Sequence, residues 1–149
     1  MDDEYPTVLL DTNVIISGFI RGRSPGRILD AWVAGKFQLA TSGSIQSEIR
    51  EVLSREYIRS KYSISPALVE SFWLHVAAKA VVVVTDGTGP LGMRVRDPRD
   101  AHVLAAALAG KVDYLVTGDT DLLVLDGTLP DGAPRIVTPA WFVREVLGD

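Results

Sequence analysis

The sequence predicts an α/β fold, a parallel sheet lying between two layers of helices, and three observations carry that expectation. Strand-like apolar runs alternate with helical periodicities along the whole chain. The strand runs are short and almost continuously apolar, as in parallel strands covered on both faces. Acidic residues recur at or just beyond the strand ends, where open parallel sheets bind their ligands. With 149 residues, 47% of them hydrophobic, the chain is expected to form one three-layer α/β/α domain over residues 1–149 with a substantial core.

Thr7 to Leu10 reads as the first strand and runs into Asp11-Thr12-Asn13, with a short helix expected over Val14 to Ile20. A carboxylate at the end of a core strand faces solvent or a cation, or else caps the helix that follows. Arg21 to Arg27, RGRSPGR, reads as a basic loop, with Ser24 and Pro25 as N-cap and first helical residue, Ile28, Leu29, Trp32 and Val33 as one apolar face, and Gly35 as the stop. Phe37 to Thr41 is the second strand. Ser42-Gly43-Ser44 leads into a helix with Ile45, Ile49, Val52 and Leu53 inward. Glu48 falls about 60° from Ile45 around that helix, so it either reaches the crevice beside Asp11 or pairs on the surface with Arg50 or Arg55.

A short helix is expected within Arg55 to Ser63. A longer one opens at Ser65-Pro66 and turns Leu68, Val69, Phe72, Trp73 and Val76 inward, leaving Trp73 and His75 to packing and surface roles. Val81 to Val84 is the third strand, and its four valines predict cover on both faces. Thr85 to Arg96 is Gly-rich but contains neither G-x-G-x-x-G nor a P-loop lysine. Asp97 can cap the next helix, with Pro98 first and Asp100 third, and Gly110 ends it. Tyr114 to Val116 is the fourth strand. It breaks at Thr117-Gly118-Asp119-Thr120-Asp121, where both acids also suit a turn. Arg135 to Val137 is the last strand, and Thr138-Pro139 opens a final helix burying Trp141, Phe142 and Val146.

Composition narrows the function. No apolar run is long enough to span a membrane, and the acidic MDDEYPTV start is unlike a signal peptide. The absence of cysteine excludes disulfides and thiolate metal sites and suits a cytoplasmic address, while two histidines are too few for a histidine metal centre. The net charge is -4, but setting aside Asp11, Glu48, Asp100, Asp119 and Asp121 leaves 14 acids against 15 Lys and Arg. Bound divalent ions would reverse the local sign, so a phosphate-bearing substrate stays open. Acids gathered from separate strand ends repel unless a cation joins them, and an oxygen-only donor set points to Mg²⁺ or Mn²⁺. A dehalogenase-type phosphatase would need a second acid where Asn13 stands.

The segments VLLDTNVIISG, SGSIQSEIREVL, DPRDAHVLAAAL and DYLVTGDTDLL, taken in this order and spacing, resemble the PIN-domain family of metal-dependent nucleases. The resemblance covers nearly the whole chain and is closest to small prokaryotic members described as toxins of toxin-antitoxin pairs. It implies a five-stranded parallel sheet of order 3-2-1-4-5, with Asp11, Glu48, Asp100 and Asp119 catalytic. Asp11, Asp100 and Asp119 would hold the metal with Asp121 as an accessory, and Asp97 is the second choice for the third acid. Asn13 and Thr117 would orient the ligands. Arg21, Arg23, Arg94, Arg96 and Arg99 would hold backbone phosphates of a single-stranded or structured RNA. An antitoxin protein and homodimerisation are expected from the resemblance alone. The competing reading is a non-catalytic module that binds RNA or protein with the same fold.

Overall fold

The strands are built from short, largely apolar segments. The computed structural model describes residues 5–20, 23–85 and 98–148, with the backbone alone for 98 and 99. The strands are β1 (Thr7–Leu10), β2 (Gln38–Ser42), β3 (Val81–Val83), β4 (Tyr114–Val116) and β5 (Arg135–Val137). They form one all-parallel sheet of order β3-β2-β1-β4-β5. Val8, Leu9, Leu10, Leu39, Leu115 and Val116 are fully buried, which places the core along the central strands. The α/β class and strand order are those the sequence implied.

The helices are α1 (Thr12–Ile20), α2 (Arg23–Val33), α3 (Gly43–Leu53), α4 (Glu56–Tyr62), α5 (Pro66–Lys79), α6 (Pro98–Ala109), α7 (Thr120–Leu123) and α8 (Pro139–Phe142). A π-helical stretch, Val143–Leu147, follows α8. The chain steps from β1 through β2 to the β3 edge, then returns across the sheet to β4 and β5. Parallel crossovers are right-handed, so the two directions of travel put helices on opposite faces. Three N-caps follow the sequence closely: Ser42, Ser65 and Thr138 accept from the backbone N–H groups of Ile45, Leu68 and Trp141.

Three expectations need correction. First, α1 begins at Thr12, because the backbone carbonyl of Asp11 already accepts from Val14 and Ile15. Second, α2 begins at Arg23, so neither Ser24 nor Pro25 opens it. Arg23 has φ +65° and makes the turn into the helix, while Pro25 sits within the first turn, whose N–H groups have no intrahelical acceptor anyway. Third, β3 is not covered on both faces: Val81 and Val82 are 42% and 51% exposed, whereas Ile136 and Val137 on the opposite edge strand, β5, are buried. At the far end, Trp141 and Val146 are half-buried and Phe142 is fully buried.

Helices α1 and α2 meet through Gly18. A Cβ there would lie 2.4 Å from Leu29 Cδ1 and 3.1 Å from the Pro25 carbonyl oxygen. The helical preference for Ala over Gly favours the substitution by up to about 1 kcal/mol, but overpacking a close contact costs about 1–3 kcal/mol. Gly18→Ala is therefore expected to lower the urea midpoint with no change in m-value.

Candidate metal centre

The crevice lies at the carboxyl ends of β1 and β4, the neighbouring strands between which the chain's direction of travel across the sheet reverses. The register pairs Leu10 with Val116, and the Asp11 N–H continues the ladder to the Val116 carbonyl at 3.0 Å. Asp11 therefore leaves β1 directly beside Thr117. The Thr117 hydroxyl donates to Asp11 Oδ2 at 2.7 Å and accepts from the Asp119 N–H at 3.0 Å. One fully buried threonine thus ties the ends of both strands together. Asp119 in turn is the N-cap of α7, accepting from the Asp121 N–H at 2.8 Å.

A cavity of about 310 Å³ opens here, lined by Asp11, Thr12, Asn13, Glu48, Glu51, Val52, Arg55, Asp100 and Asp119. Five acids from β1's end, α3, α6 and β4's end thus share one space. Carboxylate oxygens of Asp100, Asp119 and Asp121 lie within 4.8 Å of one another, with Asp100 buried, Asp119 half-buried and Asp121 exposed. Asp100 arrives from the first turn of α6. Asp11 stands in the same cavity but outside that closest triad.

Asp11 is only 9% exposed. Burial pushes its carboxyl above the usual carboxylate range. The Thr117 hydroxyl and a Thr12 backbone hydrogen bond oppose that rise, and the negative charges of Glu48 and Asp119 reinforce it. A buried carboxylate set against two others is the environment that a cation relieves. The converging oxygens, with no sulfur and no imidazole among the triad, fit a hard divalent ion such as Mg²⁺ or Mn²⁺.

Glu48 points into the crevice and does not pair with Arg50 or Arg55. Its Oε1 accepts from the Thr12 hydroxyl at 2.6 Å, and its Oε2 lies 3.1 Å from His102 Nε2. Arg50 instead stacks on Trp73, 4.1 Å from the ring centroid, and Arg55 pairs with Glu51 at 2.9 Å. His102 was not legible as a site residue. It lies two residues after Asp100, about 200° around α6, so a helical wheel sets the two on different faces. Only the approach of α3 explains its role. His102 Nδ1 is buried with no hydrogen-bond partner among the described residues. Nε2 is thus the ring nitrogen that meets Glu48.

Asn13 is exposed at the cavity's edge. Arg23 is also exposed, at the start of α2 rather than on a free loop. Arg21, Arg94, Arg96 and Asp97 lie outside the described residues, as does the side chain of Arg99.

Among curated proteins, nothing matches the chain. A family model described as PIN domain matches residues 7–121, from the first residue of β1 to the last acid of the triad. PIN domains are commonly metal-dependent nucleases, which sets the chain, at that coarse level, among hydrolases with a divalent-metal site. The match spans well over half of the sequence and includes every acid described above, and the chain belongs to the PIN-domain family.

Proposed function

We propose that the protein is an Mg²⁺- or Mn²⁺-dependent endoribonuclease that hydrolyses RNA phosphodiester bonds to 5′-phosphate and 3′-hydroxyl ends. The observation that carries this reading is the convergence of Asp100, Asp119 and Asp121 in a crevice that also holds Asp11 and Glu48. These four aspartates would hold the ion. When bound, it supplies charge neutralisation at the phosphate and acidification of water.

The chain's own residues do the positioning. The Thr117 hydroxyl fixes Asp11 and, through the Asp119 N–H, the β4 end, so the distance between these two acids is set by the sheet rather than by a loop. Glu48 is held on both oxygens, by Thr12 and His102, and each oxygen keeps a lone pair for a water. It would orient the attacking water and take its proton, and as the P–O3′ bond breaks the 3′ oxygen would take up a proton from solvent to leave the 3′-hydroxyl. Asn13 stands at the edge of the same cavity, where it orients ligands. Arg23, exposed at the start of α2, holds backbone phosphate together with Arg21, Arg94, Arg96 and Arg99.

On this reading the protein is the toxin of a toxin-antitoxin pair, cytoplasmic, homodimeric and inhibited by an antitoxin protein. No helix among the described residues is long and apolar enough to cross a membrane. The assay is cleavage of end-labelled single-stranded RNA in Mn²⁺ by wild type and Asp119→Asn. Wild type is expected to cleave, and the variant to lose more than about 100-fold, beyond the 10–100-fold typical of an outer-shell change. Equal cleavage by both proteins, or none by wild type in any metal, would reject the proposal.

A further inference from the structure

The cavity lining contains the carboxylates of Asp11, Glu48, Glu51, Asp100 and Asp119 and, among the described residues, a single cation, Arg55. Arg55 sits at the elbow between α3 and α4. It is the N-cap residue of α4, with extended backbone (φ −79°, ψ 114°), directly after Ser54, which closes α3. Its Cα is therefore set by two helices. Nη2 donates to Glu51 Oε2 at 2.9 Å, one turn back on α3. Glu51, and to a smaller extent Tyr57, hold the guanidinium firmly in its charged form.

An exposed i,i+4 pair of this kind adds little to stability, so fold stability does not account for its position at the mouth of an acidic cavity. Glu51 is the more exposed of the pair, with a side chain 68% accessible against 43% for Arg55. The ion pair thus lies at the rim. A guanidinium carries five N–H groups in a planar fork, so the bond to Glu51 leaves donors for a planar pair of phosphate oxygens. A polyanion approaching five carboxylates needs positive charge at both the floor and the rim. The aspartates would recruit it at the floor, and Arg55 provides it at the rim.

We propose that Arg55 binds a non-bridging phosphate oxygen of the RNA strand entering the acidic cavity, with Glu51 as the residue that aims it. The proposal rests on the ribonuclease reading above and adds to it a phosphate-binding residue on the α3–α4 elbow. Arg50, five residues earlier, is engaged on Trp73 and takes no part.

The test is equilibrium binding of a short fluorescent single-stranded RNA, by anisotropy across a salt series, with Ca²⁺ replacing Mn²⁺ so that binding is read without turnover. Wild type is compared with Arg55→Ala, Arg55→Lys and Glu51→Gln, and Mn²⁺ affinity and Tm are measured for each. Arg55→Ala is expected to weaken RNA binding roughly 10-fold and to flatten the log–log salt slope by about 0.7, the value for one phosphate contact on a single strand. Mn²⁺ affinity and Tm should stay at wild-type values. Arg55→Lys should recover part of the affinity, since it keeps the charge and loses the fork, and Glu51→Gln should fall between. If wild type binds and cleaves RNA but Arg55→Ala matches its affinity and slope, the proposal fails and the nuclease reading stands. A loss in Arg55→Ala accompanied by equal losses in Mn²⁺ affinity or Tm would mark a structural role and also overturn it. If wild type binds no RNA, the ribonuclease reading itself falls, and this proposal with it.

Discussion

Asp11→Asn is expected to abolish metal-dependent cleavage and, in metal-free buffer, to make the protein more stable. The activity loss should exceed about 100-fold, because the substitution replaces a candidate metal ligand rather than a group behind one. The stability gain follows from the raised pKa of Asp11, which burial causes first and which Glu48 and Asp119 reinforce against the opposing Thr117 and Thr12 hydrogen bonds. A carboxyl whose folded pKa lies above its unfolded value imposes no penalty at low pH, where it is protonated in both states. As pH rises through the folded pKa, the ionised form is held in an environment that disfavours it, and stability is lost. Asparagine stays neutral and still offers an oxygen to the Thr117 hydroxyl, whose bond to Asp11 is 2.7 Å. In EDTA the Tm advantage of the variant should therefore be near zero below the ordinary carboxylate range and grow with pH. Thermal melts of both proteins from acid to neutral pH check it. A variant less stable than wild type at neutral pH would show that Asp11 is anchored by more than it is strained.

The largest loss of stability is expected from Trp32→Ala. Trp32 is 1% exposed and packs edge-on to Phe72 at 5.6 Å, which packs on Phe19 at 5.1 Å, so one aromatic cluster joins α1, α2 and α5. Lys79 adds to it from α5: its Nζ lies 5.3 Å from the Trp32 ring centroid and donates to the Trp32 carbonyl at 2.8 Å, at the C-terminal end of α2. Truncating a buried Trp to Ala costs about 3–5 kcal/mol, a large part of the roughly 5–15 kcal/mol that holds a domain of this kind together. In a chain of this size, that lowers Tm by about 10 °C. The site should suffer as well, because α1 carries the Thr12 hydroxyl that holds Glu48. Urea unfolding monitored by circular dichroism measures the effect. A loss below about 1 kcal/mol would mean that the cluster fills space without bracing the three helices.

How much of this was legible beforehand depends on whether the signal is local. Ser42, Ser65 and Thr138 cap the helices the sequence assigned to them, because a cap is decided within four residues. The strand ends bearing Asp11 and Asp119 were readable for the same reason, as apolar runs broken by polar residues. Burial was harder to read. Four consecutive valines say that a segment prefers a strand, but not that β3 ends at Val83 and leaves Val84 91% exposed. The start of α2 was misplaced because Ser-Pro is a strong local signal, whereas Arg23 turns the chain two residues earlier at positive φ. The partners of Glu48 were out of reach. Thr12 and His102 come from helices 36 and 54 positions away in the sequence, so helical spacing could offer only Arg50 or Arg55 as surface partners, and Arg55 pairs with Glu51 at i,i+4 instead.

The account stands or falls on whether acids from separate strand ends act together on one cation. Calorimetric titration of metal-free protein with Mn²⁺, run on wild type, Asp100→Asn and Asp119→Asn, tests this most directly. Saturable binding by wild type, weakened at least about 10-fold in each variant, is the predicted result. Equal binding by all three proteins, or no binding by wild type, would contradict it.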